Sequence, residues 1–479
     1  RIDGSDLPPA IIHLKDTCGS FAFDYQSIYS PAGLNPDNTG VIGLDDFDSS
    51  WGIWGHNLRK VLGANTEKVY ATINGKANDS QLCFSSGEMF RLIESYITDN
   101  FGEKGKFRFV IAPDDTPYAC TCPSCTAIGN TEKNATPAVT ELILRLSQRF
   151  PRHFFFTTSY LTTQQVTDKQ LPPNAGVIVS AINFPLRRID GKDAKEKAFA
   201  GQLEQWKNVT KNIYIWDYIN NFDDYLTPMP ILKIARQRLQ FFKQHGASGI
   251  FFNGSGYSYS SFDEMRTFVL SALLINPELS VDNLTASFFN QEYPAAKKWL
   301  YDYYTDLENG TQSGKRLGIY AGIRESEKAY LTPEKFIKFY DEMNDFVSNA
   351  KGKERKKLHE LQTALSYTRM EMGREHSFDA YGYAKRNGKS LQPIPQVQEW
   401  LTQLKEHKAF TGMEYYNESS DEIGNYIKEW EEYIFASDLK KNLFLGVTPS
   451  VIPQAYKNHI KKLTDGTHGL PGNYHCGWV

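Results

Sequence analysis

Apolar and polar residues follow two different rhythms along the 479-residue chain. Up to about residue 280, short apolar runs are separated by stretches of helical period. Runs at 69–73, 107–112, 154–159, 177–181, 213–217 and 250–253 are rich in β-branched and aromatic residues, as strands are. Their near-continuous apolar character suits parallel strands buried on both faces. Two weaker runs, 10–14 and 41–44, bring the predicted strands to eight. Helices are predicted between most of them. The stretch 88–101 repeats Met89, Leu92, Ile93 and Ile97, and 137–150 opens on Pro137 and repeats Leu142, Leu146 and Phe150. Further helices are predicted at 194–206, 230–244 and 261–275. None is predicted after the first weak run or over 161–173, so the alternation is irregular there.

Strand–helix alternation implies a parallel sheet with crossover helices. At this length the expectation is an α/β fold, a (β/α)8-like TIM barrel over residues 1–280. No glycine-rich phosphate loop follows a predicted strand, which weighs against a dinucleotide fold. From about residue 281 the pattern is helical throughout. Thr332 and Pro333 mark a helix start, with Phe336, Phe339, Tyr340, Met343 and Val347 as its apolar stripe. Leu358, Leu361, Leu365 and Met372 form another. Ser419 and Glu422 have capping-box spacing ahead of Ile423, Tyr426, Ile427, Trp430 and Ile434. An all-α domain is therefore expected over 281–460. Gly466, Gly469, Gly472 and Gly477 then punctuate 461–479, which reads as a linker or the start of a further module.

Charge narrows the partners. Lys and Arg number 53 against 56 Asp and Glu, a formal net charge of −3, and no basic stripe of the nucleic-acid-binding kind is present. No apolar run is long enough to span a bilayer. The chain starts at Arg1 and not at Met, which is compatible with a processed leader and with export. Aromatic residues make up 14%, which suits either an aromatic core or surfaces on which sugar rings stack. The pattern singles out no oligomeric state.

In a barrel, side chains at the C-terminal strand ends line the site. Those ends here carry Asp45, Asp46 and Asp48 ahead of Trp51, Trp54, His56 and Asn57; then Asp114 and Asp115; Tyr160; Asn183; Trp216, Asp217 and Tyr218; and Asn253 with Tyr257. Glycosidic cleavage needs two carboxyl groups flanking the bond. Asp114/Asp115 and Asp217 sit at different strand ends, as such a pair would. Adjacent aspartates raise each other's pKa, which suits a general acid. The alternatives are a turn or helix cap for Asp114/Asp115 and a structural hydrogen bond for Asp217. His56 has the surroundings of a substrate contact, and a helix-capping or core role is the alternative.

The six cysteines are Cys18, Cys83, Cys120, Cys122, Cys125 and Cys476, too few and too clustered for a disulfide scaffold. Cys120, Cys122 and Cys125 place three thiols within six residues. Cys83 follows the third predicted strand and this loop the fourth, so all four are expected on one face of the barrel, as a structural zinc site. The alternative is one disulfide with spare thiols, in an oxidising compartment. Four thiolates leave no open position, so no metal or other cofactor is expected to take part in catalysis.

Several of these stretches resemble a known bacterial family. They are Trp54-Gly55-His56-Asn57-Leu58, Gln81-Leu82-Cys83-Phe84, Asp114-Asp115 with the three-cysteine loop, Trp216-Asp217-Tyr218 with Pro228 and Pro230, Gly249-Ile250-Phe251, and Glu264 with the run to Asn276-Pro277. Over roughly residues 40–305 they are similar, in the same order, to the family catalogued as domain of unknown function 4838. Its members look like relatives of the α-glucuronidase and β-hexosaminidase barrels. The resemblance implies a secreted, periplasmic or cell-surface protein and a glycoside hydrolase acting on a polysaccharide or glycoprotein glycan. In the hexosaminidase barrels an acidic pair ends the fourth strand, and its second member is the general acid; by analogy that is Asp115. The position usually holds Glu, so the acid here has a shorter arm. Asp217 would be base, nucleophile or charge stabiliser, with Asp114 beside the acid. Trp54, Trp216, Tyr218 and Tyr257 would be sugar platforms, and His56, Asn57, Tyr160 and Asn253 polar contacts. The closing 463–466 and Gly477-Trp478 resemble the opening of a discoidin-like sugar-binding module. The alternatives are a glycan-binding barrel without catalysis and, third, a scaffold whose helical domain binds a partner.

Overall fold

The structure, a computed structural model, describes residues 21–387 and 390–435. The predicted strand at 10–14, Cys18, Cys476, the side chain of Ile434 and the closing segment 461–479 lie outside the described residues. The chain divides into two compact units. Among the described residues, the first takes those up to Ile219 together with Leu232–Gly256 and Arg266–Val281; the second takes Asn220–Ile231, Tyr257–Met265 and those from Asp282 onward.

The strands of the first unit, in chain order, are β1 (Tyr25–Tyr29), β2 (Trp51–Ile53), β3 (Tyr70–Ile73), β4 (Lys76–Leu82), β5 (Arg108–Val110), β6 (Phe154–Ser159), β7 (Ala175–Ser180), β8 (Asn212–Tyr218) and β9 (Gly249–Asn253). Seven of them form one sheet in the order β1-β9-β8-β7-β6-β5-β2, with every pair parallel. The sheet curls into a half-barrel until side chains of its two edge strands meet. The Trp51 indole N–H of β2 donates to the Tyr25 hydroxyl of β1 at 2.7 Å. Strand alternation sends one set of residues into the hollow: Tyr25, Trp51, Val110, Phe156, Ile178, Tyr214 and Phe251, one from each strand, pack together there. The opposite set faces helices. Phe109 and Phe155 share a core with Met89, Ile93 and Ile97 of helix Gly87–Phe101 and with Leu142 and Leu146 of helix Thr136–Arg149. Helix Gly87–Phe101 starts where the Ser86 hydroxyl accepts from the Glu88 and Met89 amides. It stops at Gly102, whose φ of 65° a side chain would resist.

Two predicted strands take other roles. Residues 41–44 lie at the end of helix Pro36–Ile42, which the Asn35 side chain caps and Gly43, at φ 73°, terminates. The strands flanking that helix, β1 and β2, occupy the sheet edges instead. The run at 69–73 does form a strand, but β3 pairs antiparallel with β4 across Asn74-Gly75 and stays out of the main sheet. Both turn residues have positive φ, 51° and 74°, as a two-residue hairpin requires. The parallel sheet among the described residues is therefore seven-stranded.

The second unit is mainly helical. Phe336, Phe339, Tyr340, Met343 and Val347 of helix Pro333–Asn349 are buried as the stripe predicts. So are Leu358, Leu361, Leu365 and Met372 of helix Gly352–His376. Ala364, Tyr367, Met370, Leu401, Leu404, Ile423 and Trp430 make its core. Two features differ from expectation. A hairpin of β10 (Ala384–Asn387) and β11 (Ser390–Pro393) interrupts the helices. The Ser419/Glu422 capping box does not form, because Glu422 is itself the N-cap and is held in a β-bridge with Tyr415. No helix among the described residues is long and apolar enough to cross a membrane.

Candidate functional site

The mouth of the half-barrel lies at the C-terminal ends of the parallel strands. Its floor is aromatic. Trp54, just beyond β2, stacks on Trp216 of β8 with ring centroids 4.9 Å apart and 23° between planes. Phe251 of β9 lies 4.4 Å from Trp54, and Phe47 5.2 Å. The register shift between Trp51 and Ile53 lets Trp51 and Trp54 both face inward, which a regular strand would forbid. Gly55 then turns the chain at φ 56°, where an added Cβ would come 3.5 Å from the Trp216 ring. Both features tie the Trp54-Gly55-His56 segment to the floor.

The rim is polar. His56 Nδ1 lies 2.5 Å from the Pro113 carbonyl and its ring is 6.1 Å from that of Tyr160. Tyr160, one residue past β6, lies within electrostatic reach of the Asp115 carboxylate. Burial, and then the Asp115 charge, raise the Tyr160 phenol above its ordinary range. Tyr218, inward-facing on β8, is 3.4 Å from the Ser180 hydroxyl of β7. Its phenol is raised by burial foremost, and the charges of Asp217 and Asp115 act in the same direction. Asp115 itself is exposed. His56, Asp115, Tyr160 and Tyr218 thus gather on one arc of the rim, above Trp54 and Trp216. Asn253 ends β9 and, two residues on from Phe251, faces inward by alternation. Asn57 is at the start of helix Leu58–Leu62, where its side chain makes no capping bond. Tyr257 belongs to the second unit and is exposed.

Asp217 is not on this rim, which corrects the expected acid pair. On β8 the alternation turns Tyr214 and Trp216 into the hollow and Asp217 to the opposite face. There its two oxygens accept from Nε (2.9 Å) and Nη2 (2.5 Å) of Arg238 in helix Leu232–Gln244. Both side chains are only 1% exposed, and Arg238 Nη1 is taken up by the Phe184 and Pro185 carbonyls. A carboxylate so enclosed holds sheet to helix and reaches no ligand. Asp114 is also engaged: Arg59 Nε donates to its Oδ2 at 2.7 Å. It is a charge-balanced neighbour of Asp115 and not a second acid. A carboxylate outside the expected pair does stand near the mouth. Exposed Asp48, beside Phe47 of the floor, raises the Tyr29 phenol at the end of β1, after the larger effect of burial.

The loop carrying Asp114 and Asp115 has a template. Gln81 of β4 accepts the Asp114 amide through Oε1 at 3.0 Å. Its Nε2 donates to the carbonyls of Asp114 and Tyr118 and to the Thr116 hydroxyl, at 3.1–3.3 Å. Two residues on, Cys83 meets the three cysteines of that loop. Its Sγ lies 3.7 Å from that of Cys122 and 3.8 Å from that of Cys125, and the four sulfurs are all within 4.8 Å of one another. All four are free thiols.

Comparison with known proteins adds a family. None of the curated proteins matches the chain. Among solved structures, an enzyme of glycoside hydrolase family 138 that targets pectin rhamnogalacturonan II is similar at 7% identity and a TM-score of 0.33, over 82% of this chain and 77% of that one. The domain of unknown function family DUF4838 matches residues 56–306, just over half of the chain, and that stretch holds His56, the thiol cluster, Asp115, Tyr160 and β8. The chain belongs to the DUF4838 family.

Proposed function

We propose that the half-barrel mouth binds a carbohydrate and that Asp115 donates the proton in cleavage of a glycosidic bond. One observation carries this: an exposed carboxylate, close enough to a tyrosine for its charge to raise the phenol, shares a rim with a stacked tryptophan pair. A sugar ring offers apolar C–H faces and polar edges, so stacking aromatics with hydroxyl and carboxylate partners around them are complementary to it. Asp115 protonates the leaving oxygen. Tyr160 orients the carboxylate and, with His56 and Tyr218, meets substrate hydroxyls. Asp48 takes the opposing carboxylate role that Asp217 cannot fill. Completion of the barrel to eight strands, export of the protein and residence of the glycan outside the cell belong to the same reading.

The sequestration of Asp217 favours a second reading, in which the mouth binds glycans without cleaving them. The two separate in a screen of aryl-glycosides and of bacterial, plant and host glycans, scoring binding and hydrolysis together. Hydrolysis by the wild type, lost in Asp115→Asn and in Asp48→Asn while binding persists, is the expected result. Binding without hydrolysis would move the protein to the second reading. Neither binding nor hydrolysis across the screen would remove both.

A further inference from the structure

We propose that Cys83, Cys120, Cys122 and Cys125 hold one zinc ion as a structural tetrathiolate centre, which clamps the β3–β4 hairpin to the loop that follows β5. The geometry fits the ion. Zinc–thiolate bonds of about 2.3 Å at tetrahedral angles place sulfurs ~3.8 Å apart, and Cys83 stands 3.7 Å from Cys122 and 3.8 Å from Cys125. A disulfide needs its sulfurs near 2.05 Å, so these pairs are spaced for a shared ion and not for each other.

The surroundings fit thiolates. The Thr72 amide donates to Cys120 Sγ at 3.2 Å and the Cys125 amide to Cys122 Sγ at 3.4 Å. The Ser85 hydroxyl lies 3.0 Å from Cys125 Sγ and 3.4 Å from Cys83 Sγ. Such donors around the sulfurs are what a metal–thiolate centre uses to spread its charge. Cys120 and Cys125 are buried, where thiolates without a cation would be costly. Binding exchanges four S–H protons and the water shell of the ion for four Zn–S bonds, with no change of oxidation state. Four thiolates fill the tetrahedron, so the ion has no position for substrate.

The centre has a structural purpose visible in its connections. Cys83 follows β4, while the other three lie in the loop after β5 and at the start of helix Pro123–Ile128. Across the same junction the Thr121 amide donates to the Thr72 carbonyl at 2.8 Å. Gln81, two residues before Cys83, binds the backbone of Asp114. Neither the hairpin nor the loop belongs to the parallel sheet, and the ion would tie the two together beside the residue proposed as acid. That last consequence rests on the proposed function; the metal site does not.

The test uses untagged protein purified under reducing conditions. Elemental analysis should find one zinc per chain. A mercurial reagent should release that zinc as four thiols titrate, and cobalt exchange should give the thiolate charge-transfer and intense d–d bands of a tetrahedral site. Removing zinc from the wild type with a chelator should raise amide exchange in 70–82 and 113–130 while leaving β6 to β9 protected. Cys83→Ser with Cys122→Ser should lose the zinc. If that variant fails to fold, the wild-type titration and exchange experiments still decide. Iron in place of zinc, disulfides among the four in non-reduced peptide maps, or no zinc uptake by reduced protein would each overturn the proposal. None of these readouts depends on glycan binding or cleavage.

Discussion

Asp115 and Asp217 lie at the C-terminal ends of two strands of the same sheet, one in the loop beyond β5 and one within β8, yet chemically they are opposites. The loop after β5 projects Asp115 into solvent near the Tyr160 phenol. β8 turns Asp217 away from the mouth into a bidentate pair with Arg238, where each is 1% exposed. The difference is one of parity. Within a strand, one residue's shift exchanges hollow for helix layer, so Trp216 and Tyr218 line the mouth while Asp217 between them cannot. A carboxylate at a barrel strand end is therefore a site residue only if its parity points inward or the strand has already ended.

The largest expected effect is at the buried pair. Asp217→Asn leaves the Arg238 charge enclosed without a counter-ion and should cost about 3–5 kcal/mol of stability. Asp115→Asn, on an exposed loop, should change it by less than ~0.5 kcal/mol. Denaturant unfolding of the two variants measures both. Equal stabilities would break the comparison. Adding Arg238→Met to Asp217→Asn should recover part of the loss, because no buried charge then remains.

A third aspartate sharpens the point. Asp224, in the second unit, is buried with hydrogen bonds from Leu226 and Thr227, and burial lifts its pKa from 3.8 to about 6. A carboxyl raised on folding contributes stability that is full below pH 3.8 and is lost as pH rises through about 6. The span is worth up to about 3 kcal/mol. Asp224→Asn should flatten this slope relative to wild type. Thermal melts of both proteins across that window give the answer, and parallel curves would show that Asp224 does not titrate on folding. His407, also in the second unit and pushed down to about 4 chiefly by burial, acts in the opposite direction, losing stability as pH falls. The difference between variant and wild type isolates Asp224 from it.

A smaller effect is expected at the floor. Trp54→Ala removes one member of the stacked pair and should weaken glycan binding roughly tenfold or more, as truncation of an anchoring aromatic does. Calorimetric titration with a glycan found in the screen would measure it, and unchanged affinity would place the sugar elsewhere.

Much of this arrangement was legible in the sequence, and the failures have physical causes. β6 to β9 announced themselves through continuous apolar runs. β1 did not, since Gln26 and Ser27 interrupt it, and β2 is three residues long with a central glycine. The cysteine spacing pointed to a cluster that the structure brings together. The Asn74-Gly75 turn could have revealed the hairpin, because that dipeptide is the strongest short hairpin signal. The role of Asp217 was also readable. Residues 212–218 read NIYIWDY, with Tyr214, Trp216 and Tyr218 on one face and Ile213, Ile215 and Asp217 on the other. Arg238 meanwhile sits in the buried stripe of Ile234, Ala235, Leu239 and Phe242, and a buried arginine demands a buried carboxylate. Asp115 had no such marker, because loops after strands obey no period.

The central claim is that Asp115 delivers a proton at the mouth, and leaving-group dependence tests it most directly. The measurement is kcat/KM of Asp115→Asn relative to wild type on two substrates of the same glycone, a natural glycan and an aryl-glycoside with an acidic leaving group. Loss of protonation should cost roughly 10²–10⁴ on the natural glycan and far less on the aryl-glycoside, whose leaving oxygen needs little help. Equal losses on both substrates would contradict the claim and make Asp115 a sugar-binding residue.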